Sequence, residues 1–84
     1  NIIDFLEVSP EISIVEVPVP DFIVGKNLIE LNLRHKSGVT IISIKNIKNE
    51  IISPPDLSYR FAKDDILIVI GENKQLKKLK FTEE

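Results

Sequence analysis

Apolar and polar residues change period along the chain, and the changes mark out its elements. Residues 11–18 alternate: Ile12 and Ile14 share a face with Glu16, while Val15 and Val17 fall on the other. That two-residue period predicts a strand. Pro18 and Pro20 cannot donate to a ladder, so the strand ends there or lies on an edge. Residues 2–7 read differently. Ile2, Ile3 and Leu6 share a helical face, and Asp4 and Glu7 point away from it. Ser9-Pro10 closes the segment, because the residue before proline is pushed out of the α region. The expectation is the last turn of a helix begun upstream.

Residues 21–25 predict a turn and 26–34 a short helix, with Leu28, Ile29 and Leu31 apolar and Lys26, Glu30 and Arg34 spaced by four. Glu30 and Arg34 would form a favourable pair on one helix face. Residues 39–47 predict a strand with Val39, Ile41, Ser43, Lys45 and Ile47 on one face and Thr40, Ile42, Ile44 and Asn46 on the other. Lys48-Asn49 turns it into a second strand over 50–53, forming a hairpin. Pro54-Pro55-Asp56 makes a rigid corner. Residues 57–63 are irregular, with Tyr59 and Phe61 directed inward, and Asp64-Asp65 reads as a solvated turn. The apolar run 66–70, bounded by Gly71, predicts a central strand covered on both faces. A helix over 73–79 closes the chain, capped by Asn73 and docked by Leu76 and Leu79. The result is a small β-α-β-β-β-α domain of the α+β class with a mostly antiparallel sheet, preceded by the end of a helix.

Composition agrees with a sheet-rich fold. Ile occurs fifteen times and Val seven times against a single Ala, and β-branched side chains suit a pleated surface. The 84 residues support one domain. A chain of that size buries only roughly 60–65% of the surface its unfolded form exposes. No cysteine is present to staple it, so self-association or membership of a longer chain is expected. The opening Asn1 in place of Met gives the same expectation, a piece of a longer protein.

Charge and motif content narrow the function. The net charge of −2 comes from eleven basic and thirteen acidic residues scattered along the chain, unlike the clustered basic face of DNA- or RNA-binding domains. One His and no Cys leave no nucleophilic triad or dyad. No glycine-rich phosphate loop is present, since Gly25, Gly38 and Gly71 are dispersed. An enzyme is not expected.

The segment Gly25-Lys26-Asn27-Leu28-Ile29-Glu30-Leu31-Asn32-Leu33-Arg34 is followed by Gly38-Val39-Thr40-Ile41-Ile42-Ser43-Ile44, then Ile52-Ser53-Pro54 and Asp65-Ile66-Leu67-Ile68-Val69-Ile70-Gly71. In order and spacing this resembles the RCK C-terminal domain family, also called TrkA-C. The pattern is G-x-x-L-x-E-L-x-L-R, G-x-x-I-x-x-I, a proline corner, then D-x-L-x-V-x-G. The opening residues resemble the linker helix of gating subunits in Ktr-type bacterial potassium uptake systems. The resemblance implies that residues 1–9 end a linker from an absent N-terminal Rossmann domain and that 10–84 form the regulatory domain. It further implies a cytoplasmic location, peripheral to the membrane through a potassium channel or transporter partner, homodimerisation, and cyclic di-AMP as a regulatory ligand at the dimer axis. No other cofactor is expected in this stretch. The alternatives are a dimerisation module without ligand, or the same domain appended to another ion exchanger.

A two-fold homodimer suits a two-fold symmetric dianion, because each subunit offers the same groups to one half of it. Such a site needs a cation for each phosphate, an apolar wall for each adenine and a polar group for the base edge. Arg34 is the cation candidate, with a planar fork matched to phosphate oxygens; its other reading is a surface arginine paired with Glu30. Leu28, Leu33, Ile41, Pro54 and Pro55 are candidate walls, the leucines and Ile41 being equally readable as core. Thr40 stands where ligand-binding relatives of the family often carry Asn, and its hydroxyl supplies one of the hydrogen bonds that an amide makes. His35 beside Arg34 either faces solvent or flanks a phosphate.

Overall fold

In the computed structural model, which describes residues 2–83, the alternating segment forms a strand, Ile12–Pro18, with Val15 and Val17 buried and Pro18 at its end. It is the second of five strands. In chain order the elements are β1 (Asp4–Glu7), β2 (Ile12–Pro18), α1 (Leu28–Leu31), α2 (Leu33–Ser37), β3 (Thr40–Lys45), β4 (Ile51–Ile52), β5 (Ile66–Glu72) and α3 (Asn73–Lys78). The strands make a single sheet in the order β1-β2-β5-β3-β4, and every neighbouring pair is antiparallel. This is an α+β domain of the expected class.

The largest departure from expectation is at the start. Residues 4–7 are strand, not the end of a helix: Asp4 stands opposite Glu16 and Glu7 opposite Ser13. The Ile3 N–H donates to the Glu16 carbonyl at 2.7 Å, and the Val8 N–H to the Ile12 carbonyl at 2.9 Å. An isolated helical turn is marginal, whereas pairing with β2 satisfies a row of backbone groups at once. Ser9-Pro10 is therefore a hairpin corner, with the Ser9 hydroxyl accepting from the Ile12 N–H at 3.2 Å. The expected helix over 26–34 is also divided. Asn27 caps α1 through a capping box with Glu30, and Asn32 in the left-handed region (φ 48) separates α1 from α2. Asn tolerates that region better than most residues.

In β3 the simple alternation fails. Ile41 pairs with Val69 and Ser43 with Ile68, so Ile42 is an extra residue in a β-bulge. Ile41 and Ile44 consequently both face the core, at 4% and 0% exposure. The hairpin to β4 is present, closed by the Asn46 N–H donating to the Glu50 carbonyl. β5 is central, as its apolar run implies, but only one face is covered. Leu67 and Val69 are fully buried in the core cluster that also holds Ile23, Phe61 and Leu76, while Ile66, Ile68 and Ile70 on the other face stay partly exposed. Gly71 permits close packing on the buried face, since a Cβ on it would lie 2.9 Å from Val39 Cγ2.

Two polar residues serve other purposes than expected. Asn73 does not cap α3, whose N-cap is Glu72. Its Oδ1 accepts from the Ser13 hydroxyl at 2.6 Å and its amide donates to the Pro10 carbonyl at 3.1 Å, tying the helix to the β1–β2 corner. Asp65 is buried rather than solvated. It accepts from the Tyr59 hydroxyl at 2.6 Å and the Ala62 N–H at 2.8 Å, which fixes the irregular 57–63 segment.

Burial first, and then the hydrogen bond to Asp65, push the Tyr59 phenol up to about 12 from its usual 10.0. A group whose pKa is raised by folding contributes stability below its unfolded value and loses it as pH climbs to the folded one. The stability difference between the wild type and Tyr59→Phe should therefore be constant to about pH 10 and shrink between about 10 and 12. At neutral pH the variant should be less stable by about 1.5–3 kcal/mol, the scale of one hydrogen bond to a carboxylate. Urea titrations of both proteins across that pH range give the comparison; parallel curves would remove Tyr59 from the linkage.

Candidate ligand cleft

The capping box and the Asn32 break place α1 and the start of α2 beside the first residues of β3. The proline corner after β4 returns to the same place. Between them lies an open cleft of about 460 Å³, within the usual range for small-molecule sites. Its helical side carries Leu28, Asn32, Leu33 and Arg34. Val39 and the first two residues of β3, Thr40 and Ile41, form its floor, and Pro54, Pro55 and Leu57 close the far side.

Seven of the eight residues selected from the sequence line this cleft: Leu28, Leu33, Arg34, Thr40, Ile41, Pro54 and Pro55. His35 does not; it is exposed on α2 outside the lining. The two readings of the apolar residues prove compatible. Leu33 and Ile41 belong to the hydrophobic core and present an edge to the cleft, and Leu28 packs against that core from the rim. Pro55 is buried while Pro54 is exposed. Sequence reasoning missed Asn32, Val39 and Leu57. Leu57 carried a signal, an apolar residue directly after a proline corner with no periodic element to bury it; it is 64% exposed.

Arg34 differs from the pairing expected of it. Glu30 is engaged by Arg60, whose Nη1 donates to Glu30 Oε1 at 2.9 Å and to the Gly25 carbonyl at 2.8 Å. The Asn27 backbone N–H, and next the Arg60 guanidinium, hold the Glu30 carboxyl below its ordinary pKa. Among the described residues no hydrogen bond or ion pair engages the Arg34 guanidinium. The cleft thus combines apolar walls with one exposed, uncommitted cation at the rim and the Thr40 hydroxyl on the floor. That combination suits a flat apolar group carrying an anion. Among the described residues no cluster of His, Asp or Glu is placed to hold a metal.

A larger hollow, about 650 Å³, lies where β2 exits toward Phe81. Its lysines, Lys77 and Lys80, share it with Asp21 and Glu83, and none of the residues selected from the sequence reaches it. Mixed charge around a shallow surface gives no defined ligand chemistry, so the smaller apolar cleft is the better candidate.

Comparison with known proteins agrees with the fold. The family model described as the TrkA-C domain matches residues 12–80. This chain belongs to the TrkA-C family. The TrkA-C domain here is 41% identical over 71 residues to the Ktr system potassium uptake protein C of Bacillus subtilis (strain 168), covering 84% of this chain and 32% of that protein. It is 34% identical over 79 residues to the Ktr system potassium uptake protein A of the same organism, covering 93% of this chain and 35% of the relative. The chain therefore spans about a third of the length of these relatives. Among solved structures, the RCK C domain of the potassium transport protein KtrA in complex with cyclic diadenosine monophosphate is 34% identical. It superposes with a TM-score of 0.73, over 81% of this chain and 79% of that one. Within this TrkA-C domain no helix of the described residues is long and apolar enough to cross a membrane.

Proposed function

We propose that this TrkA-C domain is the ligand-binding regulatory part of a gating subunit for a potassium channel or transporter, and that it binds cyclic di-AMP at a homodimer interface. The observation that carries the proposal is the cleft in which the unpaired Arg34 stands beside walls formed by Leu28, Leu33, Ile41 and the Pro54-Pro55 corner. The KtrA C domain whose complex with cyclic di-AMP has been solved shares the fold at 34% identity, which supports the choice of ligand. Each subunit would set one adenine against its apolar walls and one phosphate against its Arg34, with the Thr40 hydroxyl as a further polar contact. Ligand at the axis favours one arrangement of the two subunits, and that preference is passed to the transporter.

In this reading the domain works in the cytoplasm, peripheral to the membrane through its transporter partner. Residues 1–9 connect it to an N-terminal Rossmann domain, with the strand over residues 4–7 in place of the linker helix expected there. The domain acts without a catalytic step and without contact to DNA or RNA.

Cyclic di-AMP at a hundred times its Kd should raise stability by about 2.7 kcal/mol, roughly 10–20 °C in Tm for a domain of this size. Thermal denaturation with and without ligand reads this directly. A dimerisation module whose cleft is filled by its partner's side chains gives no shift. An unchanged Tm at millimolar ligand would therefore defeat the ligand reading and leave dimerisation alone.

A further inference from the structure

The Pro54-Pro55 wall is held to the sheet in an indirect way. β4 pairs with β3 only through Ile51 and Ile52, so the chain has left the ladder by Ser53. The Ser53 hydroxyl returns it. Its oxygen accepts from the Ser43 hydroxyl at 2.9 Å, and its proton goes to the Ile42 carbonyl at 3.0 Å. Ile42 is the residue that the β3 bulge removes from pairing with β5, and a bulge interrupts the ladder at that point. Ile41, the residue before it, and Pro54, the residue after Ser53, both line the cleft. The two walls are thus joined by one side chain that must both donate and accept. A hydroxyl does both, and an aliphatic side chain does neither. Ser43 is 9% exposed, so losing Ser53 would also strand the Ser43 hydroxyl in a place water reaches poorly.

We propose that Ser53 is a positioning residue of the cleft: latched to the β3 bulge, it sets the distance between the Pro54 and Ile41 walls and so the slot open to a planar base. The ligand in this proposal is the cyclic di-AMP of the functional reading above, on which it rests; the latch itself has a readout without ligand.

Two variants isolate the hydroxyl. Ser53→Thr and Ser53→Val add the same branch at an exposed position, and only Thr keeps the donor and acceptor. By calorimetry Ser53→Thr should bind cyclic di-AMP within about twofold of the wild type, and Ser53→Val about tenfold more weakly, the scale of one net hydrogen bond. In the free protein, amide hydrogen exchange over residues 56–59 should be faster in Ser53→Val than in Ser53→Thr, because the corner is no longer held. Equal affinities for the two variants, or equal exchange rates, would overturn the latch. If the wild type itself fails to bind cyclic di-AMP, the functional reading falls. The exchange comparison then decides the latch alone: equal rates overturn it, and a faster Val variant upholds it as a device that shapes the cleft.

Discussion

Replacing Arg34 with alanine should lower the affinity for cyclic di-AMP at least about a hundredfold while leaving the fold intact. The guanidinium is exposed and has no partner among the described residues, so removing it breaks no contact of the free domain. Surface changes of that kind usually alter stability by no more than about 0.5 kcal/mol. In the complex the cost is different. A charge-assisted hydrogen bond contributes about 1.5–3 kcal/mol, and a two-fold site loses both copies together. Even the lower figure doubled exceeds the ~2.7 kcal/mol that corresponds to a hundredfold. Arg34→Lys should fall between, because it keeps the charge and loses the planar fork. Calorimetry on the three proteins, with urea unfolding as the control for folding, separates the possibilities. Unchanged affinity in Arg34→Ala would take Arg34 out of the site.

The role of Arg34 also illustrates what one-dimensional patterns carry. Glu30 and Arg34 are spaced as a helical pair, and the inference fails because it assumes a continuous helix. Asn32 in the left-handed region divides α1 from α2, and Arg60, thirty residues away in sequence, takes Glu30 instead. The other departures share that cause. Six residues at 2–7 fit a helical face as well as a strand, and what decides is a partner, β2, that the local period cannot reveal. Asp65 looks like a turn residue until Tyr59 is folded onto it. The bulge at Ile42 has no local signature, and it rotates Ile44 into the core. By contrast, the β2 alternation and the β5 run are self-contained, and both strands are where those patterns place them. The run in β5 still misleads about coverage, because with the helices on one face of the antiparallel sheet Ile68 and Ile70 stay partly open. As for the cleft, no period or spacing would gather Leu28, Arg34, Thr40 and Pro54. Their grouping came from resemblance to a family, and the fold brings them within one cavity.

The stability of the domain should depend most steeply on Phe61. Its ring is 1% exposed and meets the Tyr59 ring edge-on, with centroids 5.7 Å apart. Its backbone donates to the Lys26 carbonyl at 3.0 Å and accepts from the Gly25 N–H at 2.8 Å, which joins the irregular 57–63 segment to the entry of α1. Phe→Ala in a closed core costs about 3–5 kcal/mol. At about 0.05–0.15 kcal/mol per residue, the whole domain has only about 4–12 kcal/mol to lose. Phe61→Ala should therefore shift the urea midpoint far down and, at the lower end of that range, leave a visible unfolded fraction at 25 °C. Phe61→Leu, which keeps most of the volume, should lose much less. Equal midpoints for the alanine variant and the wild type would show that the segment carries no core. Because Phe61 does not line the cleft, folded molecules of the variant should keep their intrinsic affinity, and cyclic di-AMP should appear weaker only by the fraction folded. Saturating ligand should then restore part of the lost midpoint. Arg34→Ala is expected to behave in the opposite sense, with a normal midpoint that ligand no longer moves. Measured side by side, the two variants distinguish a site resting on an intact domain from a domain that merely loses its fold.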